Sequence, residues 1–184
     1  MNLTNEINSY LGQIKTEVYD NCAFEILDFK NETESIEYEA CRFKLNALNI
    51  ISRKSKITPR KNGQFVTFWK RNENGPIEPF NENDRFDFFI VNVRTESNFG
   101  QFVFPKAVLI TKGIISTDKK EGKRAFRVYP IWDIAKNKTA AQNQKWQLDY
   151  FYEINSSTDF NRVMKLYKNE YLRESIKQKT IEKT

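Results

Sequence analysis

Hydrophobic residues recur every three or four positions near both ends of the chain, which predicts a helix at each end. The N-terminal set consists of Leu3, Ile7, Tyr10, Leu11, Ile14 and Val18. The C-terminal set consists of Phe160, Val163, Met164, Tyr167, Tyr171 and Leu172. Ser157 and Thr158 stand just before the second set, and either hydroxyl would suit the N-cap of that helix.

Segments rich in β-branched and aromatic residues fill most of the chain between these helices and predict strands. In order they read "CAFEILDF", "SIEYEACRFKL", "LNIISRKSKI", "GQFVTFW", "DRFDFFIVNVR", "NFGQFVF" and "RAFRVYPIWD". Two short helices are predicted among them, "PKAVLITKG" with Pro105 first and Gly113 past its end, and "TAAQNQKWQL" with Thr139 as the candidate cap. Without a Gly/Ser/Pro linker, this order predicts one α+β domain, a mixed β-sheet flanked by helices, over residues 1–178, and a flexible tail at 179–184.

The predicted strand "GQFVTFW" is flanked by Lys and Arg on both sides and contains no acidic residue. Alternation places the even residues 64–70 on one face and the odd residues 65–71 on the other. Both faces are apolar in the middle, so we expect a central strand covered on both sides, with Phe65, Val66 and Phe68 in the core.

Trp69, Lys70 and Arg71 end this segment and join an aromatic ring to two cations. That combination suits a site that stacks a base and holds a phosphate. The alternative interpretation is a tryptophan packed beneath two solvated charges.

The net charge of +6 is distributed unevenly along the chain, which has an acidic block followed by a basic one. Residues 1–39 carry nine acidic groups and two lysines, a balance of −7, whereas residues 40–71 carry nine Lys or Arg and no carboxylate. A second basic cluster, "KKEGKRAFR", runs from Lys119 to Arg127. This pattern favours an anionic partner, with nucleic acid ahead of a membrane surface.

Lys and Arg neutralise phosphates by releasing counterions, an attraction that does not depend on base sequence. The candidate nucleic-acid-binding residues are Arg53, Lys54, Lys56, Arg60, Lys61, Trp69, Lys70, Arg71, Lys106, Lys119, Lys120, Lys123, Arg124, Arg127, Tyr129 and Trp132. The loose mixture of cations and aromatics indicates single-stranded DNA or RNA as the partner. Solvated loop charges and buried aromatics are the alternative interpretation.

Several classes of chemistry are excluded. The chain has no histidine, and Cys22 and Cys41 are its only cysteines, so Ser-His-Asp and Cys-His pairs and cysteine-only zinc sites cannot form. Neither a dinucleotide-binding nor a P-loop glycine motif is present. No cofactor or resident metal is expected, although chemistry that uses carboxylates and Mg²⁺, or a lysine, stays open.

The chain contains no run of about 18 apolar residues that could span a membrane, and its first residues do not resemble a secretory signal. We therefore expect a cytoplasmic protein with reduced thiols and no membrane insertion. The sequence does not determine the oligomeric state.

Taken together, "KITPRKNGQFVTFWKRNENGPIEPF", "FDFFIV", "FGQFVFPKAVLITKGI", "KKEGKRAFRVYPIWD" and "QKWQLDYF" resemble the MepB-like family of small bacterial proteins. The resemblance runs in order from about Tyr38 to Tyr152. The family's fold is similar to the PD-(D/E)XK nuclease core, a restriction-endonuclease-like mixed sheet flanked by helices. The resemblance therefore implies nucleic acid as the ligand.

An active nuclease of that type needs an Asp on one strand and a (D/E)-x-K on the next, so that carboxylates hold Mg²⁺. The two strands where the resemblance would place the motif read Gln64-Phe65-Val66 and Gln101-Phe102-Val103. We therefore predict a nuclease-like fold that has lost its metal site. The candidates for its remnants are Gln64, Asp84, Asp87 and Gln101.

Two other functions remain open. One is an active Mg²⁺-dependent nuclease whose site has migrated to Asp84, Asp87, or Glu39 with Lys54. The other is a protein-interaction or regulatory module whose basic face meets an acidic partner.

Overall fold

Eleven strands and four α-helices make up the computed structural model, which describes residues 9–71 and 75–168. Along the chain the strands are β1 (Ile26–Asn31), β2 (Cys41–Leu45), β3 (Leu48–Lys54), β4 (Lys56–Thr58), β5 (Lys61–Thr67), β6 (Trp69–Arg71), β7 (Ile77–Pro79), β8 (Phe88–Arg94), β9 (Phe99–Pro105), β10 (Ala125–Val128) and β11 (Phe151–Glu153). The helices are α1 (Ser9–Ile14), α2 (Lys106–Thr111), α3 (Lys138–Gln147) and α4 (Phe160–Tyr167). Leu3, Ile7, Tyr171, Leu172 and the predicted tail at 179–184 lie outside the described residues.

A six-stranded sheet in the order β1-β2-β3-β8-β9-β11 forms the centre of the fold. Strands β3 and β8 are parallel and the other neighbours are antiparallel, so the predicted α+β fold with a mixed sheet is confirmed. None of the helices in the described ranges combines the length and the apolar character that crossing a bilayer requires.

The N-terminal helix and α4 cover one face of the central sheet. α1 continues through a π-helical turn and a 3₁₀ turn as far as Cys22. Its predicted apolar stripe is confirmed, since Leu11, Ile14 and Val18 are fully buried. Val163 and Tyr167 of α4 are buried in the same core.

Two predicted helix caps are wrong by one or two residues. Asp159, rather than Ser157 or Thr158, caps α4 by accepting a hydrogen bond from the Arg162 amide. The Thr158 hydroxyl instead closes the preceding turn by donating to a backbone carbonyl. At α3 the cap is Asn137, whose side chain accepts from the backbone amide of Ala140, so Thr139 already lies inside the helix.

A smaller sheet in the order β10-β5-β4 packs on the opposite face of the central sheet. β5 is central in this small sheet, and its predicted alternation is confirmed, because Gln64, Val66 and Phe68 are buried. The expectation that both faces would be covered is wrong: Phe65 is only half-buried. One face packs on the second core, and the outward face stays largely open.

Candidate nucleic-acid interface

The open face of the small sheet presents an aromatic ring between two cations. Lys56 on β4 and Arg127 on β10 are the cross-strand neighbours of Phe65 on β5. The Arg127 guanidinium lies 5.7 Å from the centre of the Phe65 ring, and Lys56 Nζ lies 4.6 Å from that of Tyr38. Aromatic rings that lie beside cations in a row of this kind can stack unpaired bases and neutralise phosphates.

A shallow hollow lies at one end of this row. Its lining residues are Thr58, Pro59, Arg60, Lys61, Phe65 and Arg127. Arg127 is held in place because its guanidinium donates to the Gly63 carbonyl (2.8 Å) and to the Thr58 hydroxyl (2.7 Å). The side chains of Arg60 and Lys61 are exposed. These two cations are the most accessible of the predicted ones on this sheet.

A more enclosed cleft of about 380 Å³ lies at the other end, between the edge of the central sheet and β6. The cleft is lined by Lys30, Asn31, Glu32, Thr33, Glu34, Ser35, Arg42, Arg53, Trp69, Lys70 and Arg71. Five of these side chains are cationic and two are carboxylates, a formal excess of three positive charges. Trp69, Lys70 and Arg71 all line the cleft, so the structure brings together the three residues that end the "FVTFWKR" segment.

Arg53 is a lining residue of the cleft and is only 1% exposed. Its Nη1 donates to the Ser52 carbonyl, and its Nη2 makes an ion pair with Glu32. The Nε atom is buried and has no hydrogen-bond partner among the described residues. Burial lowers the pKa of the Arg53 guanidinium, and the adjacent Glu32 carboxylate opposes that shift by favouring the charged form.

The hollow and the cleft belong to one surface. The Thr67 hydroxyl, two residues along from Phe65, contacts the hydroxyl of Ser35 in the cleft at 3.4 Å. Arg124 extends the surface on the other side, because its carbonyl accepts from the amide of Phe68 and its Nε donates to Ile77 of β7. We call this surface the cationic face; its residues are Arg53, Lys56, Arg60, Lys61, Phe65, Thr67, Trp69, Lys70, Arg71, Arg124 and Arg127.

The loop between β1 and β2 lies against the cationic face and carries four glutamates, which pair with its cations or their neighbours. We call residues 32–39 the acidic loop. The pairs are Glu32 with Arg42 (2.7 Å) and Arg53, Glu34 with Arg71 (2.5 Å), Glu37 with Lys56 (3.1 Å), and Glu39 with Lys54 (2.8 Å). The acidic and basic blocks of the sequence therefore neutralise each other in part. Sequence reasoning named Glu39 only as a candidate for a migrated metal site with Lys54, and it missed the other three glutamates and Arg42, although opposite charge in adjacent blocks was the available signal.

The other predicted cations lie further from the cleft. Lys106 donates to the carbonyl of Asp84, whose carboxylate makes an ion pair with Lys70 at 2.7 Å. The side chains of Lys119, Lys120 and Lys123 are exposed in the loop before β10.

The structure does not bring Tyr129 and Trp132 to the cationic face. Tyr129 is buried over Gly63, where an added Cβ would lie 2.5 Å from its ring and where φ is +77°. Only glycine fits that position without strain. Trp132 is half-buried and packs against the Phe151 ring at 5.6 Å.

Gln64 and Gln101, two of the predicted remnants of a metal site, belong to one buried polar chain. The Ser55 hydroxyl links them, since it bonds the Gln64 side chain (2.6 Å) and the Asn92 carbonyl (3.2 Å). The Gln101 amide nitrogen donates to the Asn92 side chain at 2.7 Å. The Gln101 oxygen accepts from three buried hydroxyls, those of Tyr19 (3.1 Å), Tyr152 (2.7 Å) and Tyr167 (2.7 Å).

The carboxylate candidates make separate contacts elsewhere. Asp84 pairs with Lys70, and Asp87 accepts from the backbone and side-chain amides of Asn49. Glu39 pairs with Lys54. Within residues 9–71 and 75–168, no three His, Cys, Asp or Glu side chains lie close enough to hold a metal ion together.

Two comparisons, with a family of sequences and with a solved structure, identify relatives of this chain. The model of the MepB-like family matches residues 32–153, which include the acidic loop and every strand from β2 to β11. The crystal structure of MepB is 36% identical, covers 85% of this chain and 100% of its own, and superposes with a TM-score of 0.70.

A bacterial homing endonuclease, I-Ssp6803I, gives a TM-score of 0.44 at 16% identity over 80% of this chain and 93% of its own. A likeness at that level carries no conclusion about activity. No curated protein sequence matches the chain. A family pattern over residues 32–153 and a solved relative that shares both fold and sequence agree, and this chain belongs to the MepB-like family.

Proposed function

We propose that this protein binds single-stranded nucleic acid along the cationic face and does not cleave it. The observation that carries the proposal is the outward row of β5 and β6, which sets Phe65 beside Arg127 and Trp69 beside Arg71 on one open surface. Each aromatic ring offers a stacking platform that does not depend on base identity, and each adjacent cation can neutralise a phosphate.

The geometry favours unpaired bases over a duplex. Phe65 and Trp69 are four residues apart, roughly 13 Å at the rise of a β-strand. Both are half-buried side chains on a sheet surface, so a base must leave its own stack to lie on them. The side-chain oxygens of Gln64 and Gln101 already accept hydrogen bonds from protein hydroxyls, and neutral amides are poor ligands for Mg²⁺.

Binding should be strongly salt-dependent. For a strand held through about four phosphates, affinity is expected to fall about 50-fold between 50 and 200 mM salt. The measurement is fluorescence anisotropy of labelled single-stranded DNA and RNA across a salt series. No binding at low salt, or an affinity that does not change with salt, contradicts the proposal. Cleavage of the strands in the presence of Mg²⁺ or Mn²⁺ would show instead that the protein is an active nuclease.

The double variant Arg60→Ala/Lys61→Ala tests the hollow directly. Both side chains are exposed, so we expect the fold to be retained and the slope of log affinity against log salt to become shallower by about 1.4. The matched control is Lys165→Ala/Lys168→Ala, which removes the same charge from α4 and from the residue that follows it, on the other side of the central sheet. If both double variants make the slope shallower by the same amount, only the net charge of the protein controls binding.

Neutralising the acidic loop should tighten binding. In Glu34→Gln/Glu37→Gln, Arg71 and Lys56 lose their carboxylate partners, so about two more phosphate contacts become available and affinity at low salt should rise on the order of tenfold. Both pairs are partly exposed and contribute little to stability.

The control for that double is Glu96→Gln/Glu153→Gln, which makes the same change in net charge at exposed positions away from the cationic face. The salt series is repeated on both proteins. If the control gains as much affinity as the acidic-loop variant, the loop does not compete with the strand.

A further inference from the structure

We propose that the cleft beside Trp69 is a site for the terminal phosphate of a nucleic-acid strand, together with the nucleotide that carries it. This inference rests on the proposed function and assigns the end of the strand to one part of the cationic face. The ligand class is a nucleoside phosphomonoester, free or at the end of a strand.

The size of the cleft suits one nucleotide. Its volume of about 380 Å³ lies at the small end of the range of small-molecule sites. The hollow at the other end of the cationic face has a similar volume but is more open, which suits the continuous part of a strand.

The charge of the cleft matches a dianion. The lining side chains have a formal excess of three positive charges, which becomes two when the Asp84 partner of Lys70 is included. An internal phosphodiester carries a single negative charge, whereas a terminal phosphomonoester carries nearly two at pH 7. A strand end therefore balances the cleft better than the middle of a strand does.

Arg53 supplies the observation that is independent of net charge. It is a fully buried cation that lines the cleft, and its Nε donor has no partner among the described residues. The Glu32 carboxylate bridges Arg53 Nη2 and Arg42 Nε, so the two guanidinium groups already converge on one anionic group. Phosphate oxygens accept from such paired guanidinium groups in the same way, and an added oxygen would satisfy the remaining donor.

Trp69 completes the site for the nucleotide. Its half-buried ring forms part of the cleft, and the Arg71 guanidinium lies 5.8 Å from the ring centre. A base can stack on the ring while Arg71 contacts its phosphate. The Thr33 and Ser35 hydroxyls of the acidic loop lie in the same cleft and can accept or donate hydrogen bonds.

The test compares strands that differ only at one end. One pair carries a label at the 3′ end and either a hydroxyl or a phosphate at the 5′ end; a second pair reverses the two ends. We expect one phosphorylated end to bind on the order of tenfold more tightly than its hydroxyl counterpart. Trp69→Ala and Arg71→Ala should abolish that preference, and Lys165→Ala should retain it.

Equal binding of all four strands overturns this inference and leaves the proposed function intact. If no strand binds, the proposed function fails, and calorimetric titration with thymidine monophosphate and with thymidine decides about the cleft. Binding of the monophosphate but not of the nucleoside, lost in Trp69→Ala, supports the site. Absence of binding by the monophosphate overturns it.

Discussion

Replacing Glu32 with alanine is expected to lower the free energy of unfolding by about 3–5 kcal/mol. Glu32 is the only carboxylate paired with Arg53 in the part of the chain that the structure describes, and the side chain of Arg53 is 1% exposed. Without Glu32 the guanidinium is a buried charge with no counter-charge, which costs far more than a surface ion pair contributes. Urea unfolding, followed by far-UV circular dichroism, measures the change.

Glu34→Ala is the matched control, because Glu34 pairs with the partly exposed Arg71. Its loss should be below about 1 kcal/mol. The double variant Arg53→Met/Glu32→Leu removes both charges and should lose less stability than Glu32→Ala alone. If Glu32→Ala and Glu34→Ala cost the same, burial of Arg53 does not control the stability of this region.

We also expect a large decrease in the free energy of unfolding at alkaline pH. Burial raises the pKa of Tyr19, Tyr152 and Tyr167 above the ordinary value of 10.0 for a tyrosine. Below pH 10 both the folded and the unfolded chain keep these protons. Above it, the unfolded chain releases them while the folded protein must keep them, so the free energy of unfolding falls as pH rises towards the folded pKa values.

Above pH 10 each such tyrosine lowers the free energy of unfolding by about 1.4 kcal/mol per pH unit, so the three together lower it by about 4 kcal/mol per pH unit. The measurement is a series of urea titrations between pH 8 and 12. Tyr152→Phe should reduce the slope by about one third, because one titrating hydroxyl is gone. An unchanged slope would show that burial does not hold the pKa of Tyr152 in the folded protein above its ordinary value.

Local patterns predicted much of this fold. The three- and four-residue spacing at the chain ends identified Leu11, Ile14 and Val163 as core residues, because a helix face that packs on a sheet must be apolar along its whole length. Alternation likewise assigned Val66 and Phe68 to the buried side of β5. Whether the other side is covered depends on what packs there, and no local pattern contains that information, which is why alternation alone wrongly places the half-buried Phe65 in the core.

The candidate site was less predictable because its chemistry depends on pairing between separate segments. The basic residues of the "FVTFWKR" region were visible, but their partners were not. Glu34 and Arg71 are far apart in sequence and meet only because the loop between β1 and β2 folds back over the small sheet. The same holds for Arg53, whose burial follows from its position on the inner strand β3 and not from its neighbours in sequence.

The acidic loop has a consequence for selectivity among anions. Four carboxylates on one short segment give the surface a high local concentration of competing negative charge. We expect a small ion such as chloride or acetate to screen the exposed pairs of this loop, but each such ion meets only one cation at a time. A polymer whose charges are joined can replace several carboxylates in a single event, so we expect a polyanion to compete with the acidic loop more effectively than the same amount of charge supplied as monovalent salt.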